Sequence, residues 1–327
     1  MFWSLNLAAC LVALGLDALV GDPARVWSRV PHPVVWIGRL IGWADARFNP
    51  QNREIAEAAR RRRGLLLVVL LVGGAVGAGA ALSLGLRQLP LGWMLEGALA
   101  STLIAQRSLY EHVEAVLDGL LSHGLAGGRR AIAHIVGRDP QTLDLGGVVR
   151  AGIESLAENF SDAVVAPVFW YALAGLPGLL AYKAINTADS MIGHRTAHHI
   201  HFGRAAARLD DLVNLVPARL SGALFIAAAA LRGQRWRNAW QAMQADAAKH
   251  TSPNAGWPEA AMGGALSLAL AGPRTYAGRT VEAAWMNALG RREVRTGDLR
   301  RALDLFVTAC ALLAGLVAVP LLLAALF

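Results

Sequence analysis

Cysteine is nearly absent from this chain, which carries only Cys10 and Cys310, both inside apolar runs. A disulfide scaffold is thereby excluded. Lysine is equally scarce: Lys183 and Lys249 stand alone among 31 cationic side chains. Charged residues make up only 17% of the chain, where soluble domains carry about 25%. No Gly-x-x-x-x-Gly-Lys-Ser/Thr string occurs, so no nucleotide is held by a P-loop. In their place stand hydrophobic residues, at 55%, with a mean hydropathy of +0.41. That richness excludes disorder. The net charge of +8 is carried almost wholly by arginine. These arginines flank hydrophobic blocks and do not form one basic face with interleaved aromatics, so nucleic acid is not an expected partner. Basic loops beside membrane spans are instead the pattern of a bacterial-type inner-membrane protein.

The apolar residues are gathered in blocks long enough to cross a bilayer, for which about 20 residues at 1.5 Å each are needed. Residues 65–86 and 305–327 are uncharged throughout, and residues 2–20 are interrupted only by Asp17. The first block reads as a retained anchor: no Lys or Arg precedes it and no small-x-small cleavage site follows. Residues 88–106 form a weaker span carrying Glu96, 163–182 contain Pro167, Gly175 and Pro177, and 212–231 contain Asn214, Pro217 and Arg219. The expected fold is all-α: a single membrane-embedded catalytic domain over 1–327, a polytopic integral membrane protein with about four to six membrane helices. Broken or re-entrant segments and helical cytoplasmic loops complete it. Arginine-rich stretches at 21–64 (Arg53 and the run Arg60 to Arg63 included), 107–160 (with Arg138) and 232–304 are expected to be cytoplasmic, leaving Phe327 outside.

Several strings carry chemistry. Gly21-Asp22-Pro23 reads as a turn that stops the first helix, and His32 follows close by. Glu154, Glu158 and Asp162 recur at i, i+4 and i+8, so a helix would stack them on one face. Such a stripe is either a solvated acidic face or a magnesium site completed by substrate phosphates. Asn186-Thr187-Ala188-Asp189-Ser190-Met191 and Asp210-Asp211-Leu-Val-Asn214 add an oxygen-rich cluster at the edge of an apolar block, where ionisable groups are costly and usually functional. His194, His198, His199 and His201 suggest zinc, but neither a cysteine nor a His-Glu-x-x-His string accompanies them, and the bland reading is a histidine-rich interface. Lys249-His250-Thr251-Ser252-Pro253-Asn254-Ala255-Gly256-Trp257-Pro258-Glu259 predicts a turn with Pro258 in the first helical position. The short helix beyond it would run to about Leu270, with an N-terminus able to hold an anion.

Taken in order, Gly21-Asp22-Pro23…His32-Pro33-Val34, Glu154-Ser155…Glu158-Asn159, Asn186-Thr187-x-Asp189-Ser190-Met191, Ala207-Arg208-Leu209-Asp210-Asp211…Pro217-Ala218-Arg219 and Ser252-Pro253-Asn254-Ala255-Gly256-Trp257-Pro258-Glu259 resemble the adenosylcobinamide-phosphate synthase (cobinamide synthase) family of cobalamin biosynthesis. The resemblance runs from residue 17 to about 290, and five strings in sequence make it specific. It lends the histidines no support. It implies an inner-membrane enzyme that joins adenosylcobyric acid, a corrinoid, to an aminoalcohol phosphate, with ATP as co-substrate and magnesium.

On that footing Asp189, Asp210, Asp211, Glu154 and Glu158 are expected to hold magnesium and phosphates. Arg195, Arg208, Arg219 and Lys249 would neutralise phosphate, arginine being suited to bidentate contact. Asn186, Asn214, Asn254 and Glu259 would line the substrates, and His32 or a carboxylate would take the amine proton. The site should open to the cytoplasm, within the lipid bilayer; homo-oligomerisation is left open. A transporter of a corrinoid or small anion is the alternative, since broken helices with charges at membrane depth are a transporter feature, but no repeat relates the two halves. An assembly partner without chemistry would leave the carboxylates unexplained.

Overall fold

The computed structural model describes residues 2–51, 55–136, 139–276 and 279–326. Arg53 and Arg138, counted among the basic loops, and the terminal Phe327 lie outside the described residues. The helices run in chain order α1 (Phe2–Val20), α2 (Ala24–Trp27), α3 (Pro33–Phe48), α4 (Glu57–Leu86), α5 (Gly92–Ser101), α6 (Gln106–Ile132) and α7 (Leu145–Asn159). They continue with α8 (Ala166–Ile192), α9 (Arg204–Val213), α10 (Leu215–Leu231), α11 (Trp236–Asp246), α12 (Gly256–Leu266) and α13 (Thr296–Leu326). A π-turn over Phe160–Val165 links α7 to α8. The extended structure consists of two short antiparallel pairs, β1 (Leu270–Ala271) with β4 (Trp285–Met286) and β2 (Arg274–Tyr276) with β3 (Arg279–Val281). The all-α expectation holds.

Among the described residues, three helical runs are long and apolar enough to cross a membrane: Glu57–Leu86, Leu145–Ile192 and Thr296–Leu323. The bent pair Arg204–Val213 and Leu215–Leu231 makes a fourth if it is one span. These contain the expected spans 65–86, 163–182 and 212–231, with the break at Asn214, and residues 305–323 of the expected 305–327. The helix α1 coincides with 2–20, although its apolar part, Ser4–Val20, is shorter than the other spans. The expected span 88–106 requires correction. Its helix is α5, ten residues and so about 15 Å long, entered through Leu91 in a left-handed conformation (φ 56°).

The chain divides into two compact units. The first comprises Met1–Ala105, Ala166–Asn214 and Val317–Phe327. Within it α4 lies along α8, α1 along α5, and α3 against α8. Ile41, Val68, Leu71, Ala184, Ala188, Ile192, Phe202 and Ala206 form its buried cluster. The close approach of α4 and α8 depends on Gly79, where an added Cβ would stand 2.6 Å from Pro177 Cα. Small residues are what let membrane helices come this near. Gly79→Ala should therefore cost about 1–3 kcal/mol of overpacking, read as a lowered midpoint of thermal unfolding in detergent. Gly77 has nothing within 4 Å of a would-be Cβ, so Gly77→Ala should leave the midpoint unchanged or raise it, alanine being the better helix former.

Glu96 explains why 88–106 reads so poorly as a span. Its carboxylate is fully buried against Arg87, with Nε 2.9 Å from Oε2, and it also accepts from Ser83 Oγ (3.0 Å) and Tyr171 Oη (3.3 Å). Arg87 donates in addition to Asn6 Oδ1 on α1. A charge at membrane depth is tolerated when it is paired in this way.

The second unit comprises Gln106–Val165 and Leu215–Leu316. Here α12 packs on α11 and α10, and α6 on α7. Phe160 stacks 4.7 Å from Phe225 and 5.5 Å from Phe306, ring centre to ring centre. Asp298 ties the start of α13 to its surroundings, accepting from Arg291, Arg301 and the Arg295 amide.

Candidate functional site

In the first unit, α8 is two helices joined at Gly175, whose φ of 65° and ψ of −157° no helix contains. Pro177 stands in the first turn of the second helix, where its missing N–H costs nothing. That second helix carries Asn186 and Asp189, three residues apart and so on one face. It ends where the Gly193 amide donates to the Asp189 carbonyl at 2.7 Å. A Cβ at Gly193 would lie 1.9 Å from Asp189 Oδ1, so glycine makes room for the carboxylate over the helix end. Beside it Met191 lies over two glycines of α3: a Cβ on Gly38 would stand 3.4 Å from its Sδ, and one on Gly42 3.8 Å from its Cε.

From α9 comes Asp210, buried, with its two oxygens taken by different amides. Asn186 Nδ2 donates to Oδ1 at 3.4 Å and Asn214 Nδ2 to Oδ2 at 3.0 Å. Tyr182 Oη donates in turn to Asn214 Oδ1 at 3.0 Å, so α8 holds α9 through a chain of neutral donors. Asp189 and Asp211 both lie within electrostatic reach of Asp210, and Asp189 within reach of Asp211 and His194. The attractive charge on Asp211 is Arg195, exposed on the turn after α8. The structure thus brings together Asn186, Asp189, Asp210, Asp211, Asn214 and Arg195. Arg208 turns elsewhere. It lies two residues before Asp210, about 200° round the helix, and lines a groove of about 660 Å³ with Arg61, His201 and Arg204.

His32 caps α3, accepting the Val34 amide at 3.2 Å through Nδ1. Its Nε2 lies 3.6 Å from Asp22 Oδ1, and its ring packs edge-on against Trp27. The acid and the histidine do meet. The turn reading of Gly21 also holds, with φ 63° and its amide donating to the Asp17 carbonyl. The histidine-rich stretch makes specific pairs. His198 and His199 converge on Asp45, and His201 Nε2 lies 3.3 Å from Glu57 Oε1. Their partners sit about 150 residues away in sequence, beyond any spacing rule.

The remaining expected residues belong to the second unit. Glu154 is buried and accepts the Ala271 amide at 2.8 Å, whereas Glu158 is exposed and Asp162 lies within the π-turn. The three acids therefore do not share one environment, because the π-turn interrupts the helical period and burial differs along it. Lys249 donates to Asp246 Oδ1 at 2.7 Å, and Asp246 also accepts the Ala288 amide. The predicted helix after the turn is α12, with Gly256 so close to the Ala247 carbonyl (2.2 Å from a would-be Cβ) that only glycine fits. Asn254 is buried before it, its amide donating to Ser252 Oγ at 3.2 Å. Glu259 is buried beneath its first turn, 3.7 Å from His250 Nε2. The Arg219 guanidinium lies 4.2 Å over the Trp257 ring.

Asp45, Tyr182, Lys183 and His250 escaped the reading of the sequence. Lys183 is buried on α8 one turn before Asn186, and a lysine bordering an apolar block is a signal in its own right. Tyr182 gave none.

Comparison with known proteins gives this arrangement a family. Proteins named cobalamin biosynthesis protein CobD are similar over nearly their whole length. The one from Sinorhizobium sp is 52% identical over 310 residues, 94% of this chain and 95% of the relative. Those from Brucella suis biovar 1 and Rhodobacter capsulatus are each 48% identical, covering 96% of this chain and 96% and 98% of the relatives. No solved structure matches. The family described as CobD/Cbib protein matches residues 10–306, a stretch that takes in both the aspartate–amide cluster between α8 and α9 and the Lys249–Glu259 segment, and the chain belongs to that family.

Proposed function

We propose that the chain is an acid–amine ligase of cobalamin biosynthesis. In this reading it joins the carboxylate of adenosylcobyric acid to the amine of an aminoalcohol phosphate such as aminopropanol phosphate, giving adenosylcobinamide phosphate. The observation that carries it is the cluster of Asn186, Asp189, Asp210, Asp211 and Asn214 beside Arg195, in a member of this family.

A carboxylate is a poor electrophile, so it is activated before the amine attacks. One carboxylate oxygen attacks the γ-phosphorus of ATP, ADP leaves, and an acyl phosphate forms; the amine nitrogen then attacks the acyl carbon, and inorganic phosphate departs with the C–O electron pair. A magnesium ion would offset charge on the transferring phosphoryl group. The donor set fits it. Magnesium prefers oxygen and usually takes one or two carboxylates, filling its other positions with phosphate oxygens and water. Asp189 and Asp211 would supply those two, while Asp210, which accepts from both amides, holds the two helices in register and adds its negative charge beside them. Arg195 steadies phosphate oxygens. In the second unit, Trp257 orients Arg219 and Asp246 holds Lys249. The amine proton passes to a carboxylate or to His32, whose Nε2 faces Asp22. Because ATP and corrinoid are cytosolic, the site opens to the cytoplasm from the inner membrane.

The test uses the full chain purified in detergent with adenosylcobyric acid, aminopropanol phosphate and magnesium ATP. A product heavier than the corrinoid acid by the aminoalcohol phosphate less one water, formed with stoichiometric ADP, is expected. Absence of that mass in folded protein sinks the ligase reading. A null strain should grow on cobinamide and fail on cobyric acid, a sorting that a transport defect would not produce.

A further inference from the structure

Asp45 of α3 and the consecutive His198 and His199 of the α8–α9 connection meet at one point. His199 Nε2 stands 3.1 Å and His198 Nε2 3.4 Å from the same oxygen, Asp45 Oδ2. Among the described residues this is the one group of three such side chains whose ligand atoms all lie within 4.8 Å of one another. Ligands held about 2.0–2.1 Å from a tetrahedral zinc ion are spaced about 3.3 Å apart, close to the 3.1 and 3.4 Å that separate Asp45 Oδ2 from the two imidazole nitrogens. The three side chains are about four-fifths buried.

The surroundings hold them in place. Asn49 donates to Asp45 Oδ1 at 3.0 Å, leaving Oδ2 to the imidazoles, and donates also to the His198 carbonyl at 3.1 Å. Thr196 Oγ1 lies 3.4 Å from His199 Nδ1, the outward nitrogen that a metal-bound imidazole uses to donate. Burial would raise the Asp45 carboxyl, but hydrogen bonds from Asn49 and His199 and the charge of both imidazoles outweigh it and hold it below the usual carboxylate range. Arg60 is the facing cation, directed at the His198 carbonyl at 3.5 Å.

We propose that Asp45, His198 and His199 form a binding site for one divalent transition metal of the zinc type. The two nitrogens exclude magnesium and calcium, which take oxygen, and two imidazoles with one carboxylate suit zinc with a water in its fourth position. No cysteine or His-Glu-x-x-His string marks this set in the sequence, and its third ligand lies 153 residues from His198. The site is separate from the aspartate–amide cluster and independent of the ligase reading. Its physical effect is a clasp. It fastens the connection between α8 and α9 to α3, and so fixes the segment between Asp189 and Asp210.

The experiment takes tag-free full-length protein in detergent, strips it with a chelator, and titrates it with Zn²⁺ and with Co²⁺. The expected result is one equivalent bound, an intense visible cobalt spectrum of tetrahedral type, and slower proteolysis of residues 193–203 with metal. His198→Ala together with His199→Ala should abolish the cobalt spectrum. Asn49→Ala, which keeps all three ligands, should weaken zinc about 10–100-fold. Asp45→Asn preserves shape and guards against a folding artefact, as do matched melting curves without metal. Failure of the wild type to bind an equivalent overturns the proposal, as does an unchanged cobalt spectrum in the double variant, which would assign the metal to His194, His201 or His250.

Discussion

Asp210→Ala is expected to lower kcat/KM for the ligation by about a thousandfold or more. Metal-assisted stabilisation of phosphoryl charge supplies several kcal/mol, and each 1.36 kcal/mol is tenfold in rate. The residue is buried and accepts from Asn186 and Asn214. Alanine removes the acceptor that sets two helices in register and leaves both amides searching for a partner, at about 1–3 kcal/mol of stability. Asp210→Asn separates the two effects. It keeps a carbonyl oxygen for one amide and should recover part of the lost stability, yet lose most of the activity because the charge is gone. Asp189→Ala should lose activity as severely with little change in melting, since its carboxylate lies over a helix end and is only partly buried. Activity within tenfold of wild type in Asp189→Ala and Asp210→Asn would remove these carboxylates from the chemistry.

Glu96→Ala should destabilise the folded protein by about 3–5 kcal/mol, the usual cost of removing one partner from a buried ion pair. The carboxylate is fully buried and takes hydrogen bonds from Arg87, Ser83 and Tyr171. Its loss leaves a guanidinium and two hydroxyls in apolar surroundings. Unfolding in detergent followed by circular dichroism reads the effect. Double replacement, Glu96→Met with Arg87→Met, should recover much of the loss, because a buried pair is often neutral against apolar residues of similar volume. A single variant as stable as wild type would mean that the pair is hydrated and worth little.

The long apolar runs were legible because a bilayer sets one length scale, and 65–86 and 305–327 announce it without a single charge. Local chemistry was legible too: Gly21 ended its helix, and Asp210 paired with Asn214 four residues on, while α12 began at Gly256, two residues before the expected Pro258. What escaped depends on partners far along the chain. Glu96 looked like a blemish in a span until Arg87, nine residues away, took up its charge in a helix too short to cross. The fate of Glu154 was decided by an amide 117 residues on. Periodicity stacked Asp162 with Glu154 and Glu158, but the π-turn that holds Asp162 is invisible to a 3.6-residue rule. The partners of the histidines are hidden for the same reason, since a carboxylate on another helix is not written in their spacing.

Asp189 sits 14 residues beyond the break at Gly175, about 21 Å along a straight helix. The helix is therefore a rigid pointer pivoting on one residue. A rotation of about 5° at that pivot would swing the carboxylate by about 2 Å, a full metal–oxygen bond length. Misplacement by about 1 Å can cost a hundredfold in rate. Aim in this site is set far from where it is used, at a glycine that touches no reactant.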